Sequence, residues 1–124
     1  MKKFVLFVLC SFLLFATTVF AQEAVKIGFI SVLSGPLAPI GQSEANAAKM
    51  AVEEYGDVLG KKVELFVKDH QYNPGLANER SKELYEKDKV DVIVGVSNSA
   101  AALAVSDLMR RNVFPSFTKV SAVT

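Results

Sequence analysis

The stretch Val90-Asp91-Val92-Ile93-Val94-Gly95-Val96-Ser97-Asn98-Ser99 runs straight into Ala100-Ala101-Ala102-Leu103-Ala104. A β-branched run between an aspartate and a glycine is the pattern of a parallel strand covered on both faces. The alanine-rich continuation favours a helix. Three polar residues therefore stand where a strand hands over to a helix, and the first-turn amides of that helix lack intrahelical acceptors. Such a position suits a carboxylate or another small anion.

Upstream, Val25-Lys26-Ile27-Gly28-Phe29-Ile30-Ser31-Val32 reads as a first strand, and Leu33 to Gly41, with two glycines and two prolines, as a loop. Ala48, Ala51, Val52 and Tyr55 recur at helical spacing, which predicts a helix from about Gln42 to Tyr55 with Gly56 as its stop. The small residues Ala45, Ala47, Ala48 and Ala51 are expected to bring this helix close to a sheet. Lys62 to Asp69 alternates as a second strand. Asn73 then fits an N-cap, with Pro74 opening a helix that runs to about Lys87 and carries Ala77, Arg80, Ser81 and Leu84 on one side.

Beyond the decisive stretch, a helix from Ser99 to about Arg111 is expected to bury Ala101, Ala104, Val105 and Leu108. Its last turn holds Arg110 and Arg111, matched to the helix dipole. Val113 to Phe117 begins a fourth strand, weakened by Pro115.

Alternating strands and helices imply an α/β fold, a parallel sheet with helices on both faces. With strand order 2-1-3-4, the connections after strands 1 and 3 leave toward opposite faces. The crevice between them is a topological switch point, where ligands usually bind. Ser34, Gly35 and Pro36 then stand opposite Ser97, Asn98 and Ser99.

Met1-Lys2-Lys3 followed by the apolar run Phe4 to Phe15 and the small-residue site Val19-Phe20-Ala21 is the pattern of a secretory signal peptide, residues 1–21, cut before Gln22. Residues 22–124 form the folded unit, and the expected location is the periplasm. Cys10 is an apolar member of the signal run, so the mature chain has no cysteine and no disulfide. Removing Lys2 and Lys3 from the 14 basic residues leaves 12 against 13 acidic, a net charge of −1. The lysines are interleaved with acids, as in Lys82 to Lys89, which reads as a solvated helix face, and no basic stripe supports nucleic-acid binding.

The same two loops carry a family likeness. Val25-Lys26-Ile27-Gly28 through Leu33-Ser34-Gly35-Pro36, with Gly41 and Ala47 to Glu54, then Asp69-His70-Gln71, Asn73-Pro74 and Asp91 to Val105, resembles the branched-chain amino-acid binding proteins. These are solute-binding components of ABC importers with a two-lobed type I fold. The resemblance implies a partial N-terminal lobe of such a protein. It implies a small-molecule ligand, an amino acid or similar small carboxylate, and an inner-membrane ABC permease as partner. No enzymatic activity, cofactor or metal is implied. It assigns the carboxylate contact to Ser99, with Ser97, Asn98 and Ala100 beside it. Thr118 to Ser121 fall in the second ligand loop, and a wall near Leu37 to Ile40 comes from the first. Family members are several-fold longer, with a second lobe that closes over the ligand.

The residues admit other readings. His70, the single histidine, is expected to be a solvated loop residue, since no positioned acid or thiol makes it catalytic. Asp69 and Asp91 read as turn and cap residues, and clusters with metal-ligand spacing are missing from the sequence. A flavin or nucleotide protein would use the same crevice, but Pro36 and Pro39 remove amides that a phosphate-cradling loop needs. A phospho-acceptor receiver needs carboxylates at the first strand's end, where Ser31-Val32-Leu33 stand. An exported ligand-sensing domain reporting to a receptor would share the recognition chemistry, and a truncated, non-functional remnant is the third alternative.

Overall fold

The structure is a computed structural model that describes residues 23–111 and 115–118. The expected signal segment at residues 1–21, the start of the fourth strand at Val113 and Phe114, and Lys119 to Ser121 lie outside the described residues. The elements run β1 (Val25–Ser31), α1 (Ala38–Tyr55), β2 (Asp57–Val58), β3 (Lys61–Asp69), α2 (Pro74–Glu83), β4 (Val92–Gly95), α3 (Ser99–Arg111) and β5 (Ser116–Thr118). A π-type turn, Leu84–Asp88, continues α2.

The sheet order is β2-β3-β1-β4-β5. Strand β1 pairs in parallel with β3 (Val25 opposite Val63, Ser31 opposite Asp69) and with β4 (Ile27 opposite Val92, Ile30 opposite Gly95). Strand β5 adds in parallel to β4. The four parallel strands thus follow the expected 2-1-3-4 order. The sequence reading missed β2, which pairs antiparallel with the start of β3 and makes the sheet mixed. The turn between them holds Leu59 at φ 53° and Gly60 at φ 77°, the two left-handed positions that a tight two-residue hairpin requires.

Successive residues of a strand face opposite sides of its sheet. On β1, a Cβ at Gly28 would lie 2.8 Å from Leu84 Cδ1, so this face looks toward α2. The Ser31 hydroxyl, three positions on, bonds Glu44 of α1. Helices therefore cover both faces. The core lies on the α2/α3 side and gathers Ile30, Ala77, Leu84, Val90, Ile93, Val96, Ala101, Ala102, Val105 and Met109. Burial of the larger side chains of this set, the valines, isoleucines, leucine and methionine, stabilises a fold by about 1.5–3 kcal/mol apiece. At the rim, Lys68 of β3 reaches Glu83 and Asp88, each at 3.1 Å, and so ties the sheet to the end of α2.

Several boundaries and faces differ from expectation, each for a local reason. Helix α1 begins at Ala38, not Gln42, because Pro39 falls within its first turn, where its missing N–H costs nothing. Gly41 is thereby helical and buried. The α1 residues that meet the sheet are Gly41 and Ala45; Ala47 and Ala51 are exposed. Strand β4 is shorter than expected and only Ile93 of it is fully buried, since α1 lies over β1 and β3 and leaves Val92 and Val94 half-covered. In α3 the buried set is Ala101, Ala102, Val105 and Met109, a stripe rotated from the expected one, with Ala104 and Leu108 partly buried. The Asn73 cap forms as expected, its side chain accepting the Leu76 amide at 3.1 Å.

Candidate functional site

Two adjoining hollows open at the carboxyl end of the sheet. The larger, about 450 Å³, is lined by Val32, Ser34, Gly35, Pro36, Leu37, Gln71 and Tyr72. The smaller, about 80 Å³, shares Val32, Leu37 and Tyr72 and adds Ile40, Gly41 and Ser97. Together they form a crevice along the ends of β1, β3 and β4; the smaller hollow lies at the topological switch point between β1 and β4.

The loop after β1 is held from beneath by β3. Asp69 Oδ1 accepts the Leu33 amide at 2.9 Å and the Gln71 amide at 2.8 Å, and the Asp69 side chain also bonds Ser34. Burial opposes the Asp69 charge, but the Ser34 hydroxyl and the two amides outweigh it and hold the carboxyl below its ordinary range. More than a turn residue, Asp69 fixes both walls of the larger hollow. Gln71 (φ 50°) and Tyr72 (φ 61°) adopt left-handed backbone to complete the second wall. Neither was singled out from the sequence, where the signal was their place directly after the strand beside β1.

Helix α1 closes against the same loop through Gly41. A Cβ there would collide with the Val32 carbonyl oxygen and lie 2.8 Å from Ser31 Oγ. At the foot of the crevice the fully buried Ser31 gives its hydroxyl proton to Glu44 Oε2 at 2.7 Å, and its Oγ lies 3.3 Å from Ser97 Oγ.

Strand β4 ends in a sharp bend. Gly95 (φ 101°) passes so close that a Cβ would lie 2.6 Å from the Ile30 carbonyl oxygen, and Val96, at φ 61°, donates its amide to that oxygen at 2.6 Å. A β-branched residue with positive φ is a strained exception, here compensated by complete burial of Val96. The bend delivers Ser97 to the crevice and starts α3. Asn98 is its N-cap: Oδ1 accepts the Ala101 amide at 3.0 Å and the carbonyl oxygen accepts the Ala102 amide at 2.7 Å. The Asn98 side chain is thus engaged in holding the helix end.

Of the sequence-derived candidates, Ser34, Gly35 and Pro36 line the larger hollow and Ser97 the smaller. Asn98, Ser99 and Ala100 form the start of α3 outside both linings, with Ser99 partly and Ala100 largely exposed. Thr118 ends β5, opposite Gly95. Leu37 and Ile40 form part of the wall.

His70 corrects the sequence reading. It is completely buried, not solvated, and neither ring nitrogen has a hydrogen-bond partner among the described residues. The reason lies in its backbone, whose amide bonds the Ser31 carbonyl at 3.1 Å and whose carbonyl accepts the Asn73 amide at 2.8 Å. These bonds continue the sheet one residue past β3 and carry the ring inward. Burial lowers the imidazole pKa, against the pull of Asp69 and Glu44.

Among the described residues no group of three or more His, Cys, Asp or Glu could hold a metal ion, and no helix is long and apolar enough to cross a membrane. The crevice combines the polar side chains of Ser34, Gln71 and Ser97 with the apolar surfaces of Val32, Leu37 and Ile40.

Comparison with known proteins shows the family. A profile described as periplasmic binding protein matches residues 24–124. A Leu/Ile/Val-binding protein of Rhizobium johnstonii is 33% identical over 95 residues, covering 74% of this chain and 26% of its own length. The branched-chain amino acid transporter substrate-binding protein LivJ of Streptococcus pneumoniae, solved with isoleucine, superposes with a TM-score of 0.75 at 29% identity, over 82% of this chain and 30% of the other. A solute-binding protein of an ABC transporter from Rhodopseudomonas palustris, solved with 3,4-dihydroxybenzoic acid, gives 0.72 at 33% identity, over 78% and 27%. The chain spans between a quarter and a third of the length of these relatives. By sequence and by architecture, the chain belongs to the periplasmic binding protein family, as an N-terminal part of the type I fold.

Proposed function

We propose that this chain supplies one wall of an extracytoplasmic solute site, and that the solute is an amino acid or a similar small carboxylate passed on to an inner-membrane ABC permease. The observation that carries the reading is the start of α3. Its cap uses Asn98, and it follows directly on Ser97, which lines the smaller hollow; a helix N-terminus at this position favours an anionic group. The ligands named for two similar proteins, isoleucine and 3,4-dihydroxybenzoic acid, share a carboxyl group and little else. Export through residues 1–21 would deliver the chain to the periplasm.

In this reading the carboxylate meets Ser99 and Ala100 at the helix end. The solute's body lies against Val32, Leu37 and Tyr72, and Ser34 to Pro36 border it. Thr118 ends the neighbouring strand, opposite Gly95. Recognition is by hydrogen bonding and burial, with no covalent step and no cofactor. A crevice open on one side encloses only part of a ligand, so this chain binds weakly, with a dissociation constant on the order of millimolar.

The test is a Ser99→Ala variant titrated with leucine and with benzoate by amide NMR. Loss of one hydroxyl contact to a carboxylate weakens both by roughly tenfold. Unchanged affinity for both compounds would remove Ser99 from the site.

A further inference from the structure

The turn after β3 is built against local preference. The Asn73 amide closes it on the His70 carbonyl at 2.8 Å, and both central residues are left-handed, Gln71 at φ 50° and Tyr72 at φ 61°. This is the type I′ pattern, which glycine, asparagine and aspartate dominate because a larger side chain crowds the backbone there. A tyrosine in this region is an outlier, and such a residue persists only where its surroundings over-determine it. Here they do. Asp69 Oδ1 holds the Gln71 amide at 2.8 Å, and Asn73 is fixed as the cap of α2 by the Leu76 amide at 3.1 Å. Core packing does not account for the tyrosine, which is 56% exposed. Tyr72 instead borders both hollows, sharing the larger with Pro36 and Leu37 and the smaller with Leu37 and Ile40. A half-open aromatic ring thus stands beside an apolar wall, at a backbone position that disfavours it.

We infer that Tyr72 determines the specificity of the crevice: its ring is a platform for a flat, aromatic solute, which binds in preference to a saturated one of the same size. The inference rests on the proposed function and deepens it, from a small carboxylate to one that carries an aromatic ring. Two aromatic rings gain from offset-stacked or edge-to-face contact beyond the burial of area, because the face of one is negative and the edge of the other positive. A saturated ring gains from burial alone. The strained turn serves this end by holding the platform in place before the solute arrives, so little ordering is needed on binding. Gln71, Asp69 and Asn73 are positioning residues; Tyr72 is the group that touches the solute.

Benzoate and cyclohexanecarboxylate test this. Both carry one carboxylate on a six-membered carbon ring, flat and aromatic in the first and puckered in the second. Amide NMR titration of the full chain is expected to show benzoate binding roughly fivefold tighter. Tyr72→Phe, which keeps the ring, is expected to keep that ratio, and Tyr72→Leu to bring it to unity. Tyr72→Asn separates a platform from a structural residue. It relieves the left-handed strain, so it is expected to raise the melting temperature by roughly 4 °C while it abolishes the preference for benzoate. A ratio that survives in Tyr72→Leu overturns the inference. So does a Tyr72→Asn chain that melts lower and binds both compounds equally less, since that marks Tyr72 as structural. Should the two compounds bind the unmodified chain with equal affinity and still shift the crevice amides, the platform is wrong while the carboxylate site stands. If neither shifts those amides, both fall.

Discussion

The Oδ1 oxygen of Asp69 accepts the Leu33 amide at 2.9 Å, and through this bond the end of β3 holds the loop that follows β1. The same oxygen takes the Gln71 amide, so one carboxylate sets the separation of the two walls of the larger hollow. Asp69→Ala leaves both amides short of their partner and is expected to cost about 1–3 kcal/mol in urea unfolding. The effect depends on pH with a definite sign. Because the folded-state pKa of Asp69 is lowered, its contribution is fully present above about 3.9, the unfolded value, and disappears as pH falls through the folded value. The variant should therefore differ from the parent at pH 7 and converge with it in strong acid.

His70 contributes acid sensitivity of the same sign, at higher pH. Its pKa is lowered by burial, so below about 6.5 the unfolded chain takes up a proton that the folded chain refuses. Stability is full above that value and declines as pH falls toward the folded pKa. Thermal melts of the parent should lose ground between pH 7 and pH 5, and His70→Leu should flatten that segment of the curve.

Gly41 and Gly35 separate close approach from backbone conformation. Gly41→Ala drives a methyl group into the Val32 carbonyl, an overpacking expected to cost about 1–3 kcal/mol or more. Gly35 has open space around its Cα but a φ of +78°, so Gly35→Ala should cost only about 1–2 kcal/mol. Equal losses in the two variants would show that the contact between α1 and β1 is looser than described.

Asn98→Ala removes the cap of α3. A loss of about 1 kcal/mol is expected, accompanied by faster amide exchange at Ala101 and Ala102. Asn98→Asp should preserve stability, because a carboxylate caps equally well and complements the helix dipole.

Much of this architecture was legible in the sequence because period and punctuation agreed. The β-branched run at Val92 to Val94, the Asn73-Pro74 start and the Ser99 to Arg111 helix each carry a local signal strong enough to survive tertiary context. The places that misled are those where context overrides the local signal. Pro39 and Gly41 look like loop residues, yet one suits a helix's first turn and the other is needed because α1 presses on Val32. His70 looks like a turn residue until its backbone is seen to extend β3. The Ser31, Glu44 and Ser97 chain spans 66 positions of sequence between Ser31 and Ser97. No spacing rule brings a strand, a helix and a distant loop to one point.

We propose that a small carboxylate binds at the carboxyl end of this sheet, between the loops at Ser34 and Ser97. A two-dimensional amide NMR spectrum of the full chain, recorded without and with leucine at roughly ten millimolar, addresses it most directly at the weak affinity expected. Dispersed peaks are expected, with shifts confined to Leu33 to Leu37, Gln71 to Tyr72 and Ser97 to Ala101. Shifts scattered over the surface, or a spectrum that leucine and benzoate both leave unchanged, would contradict it.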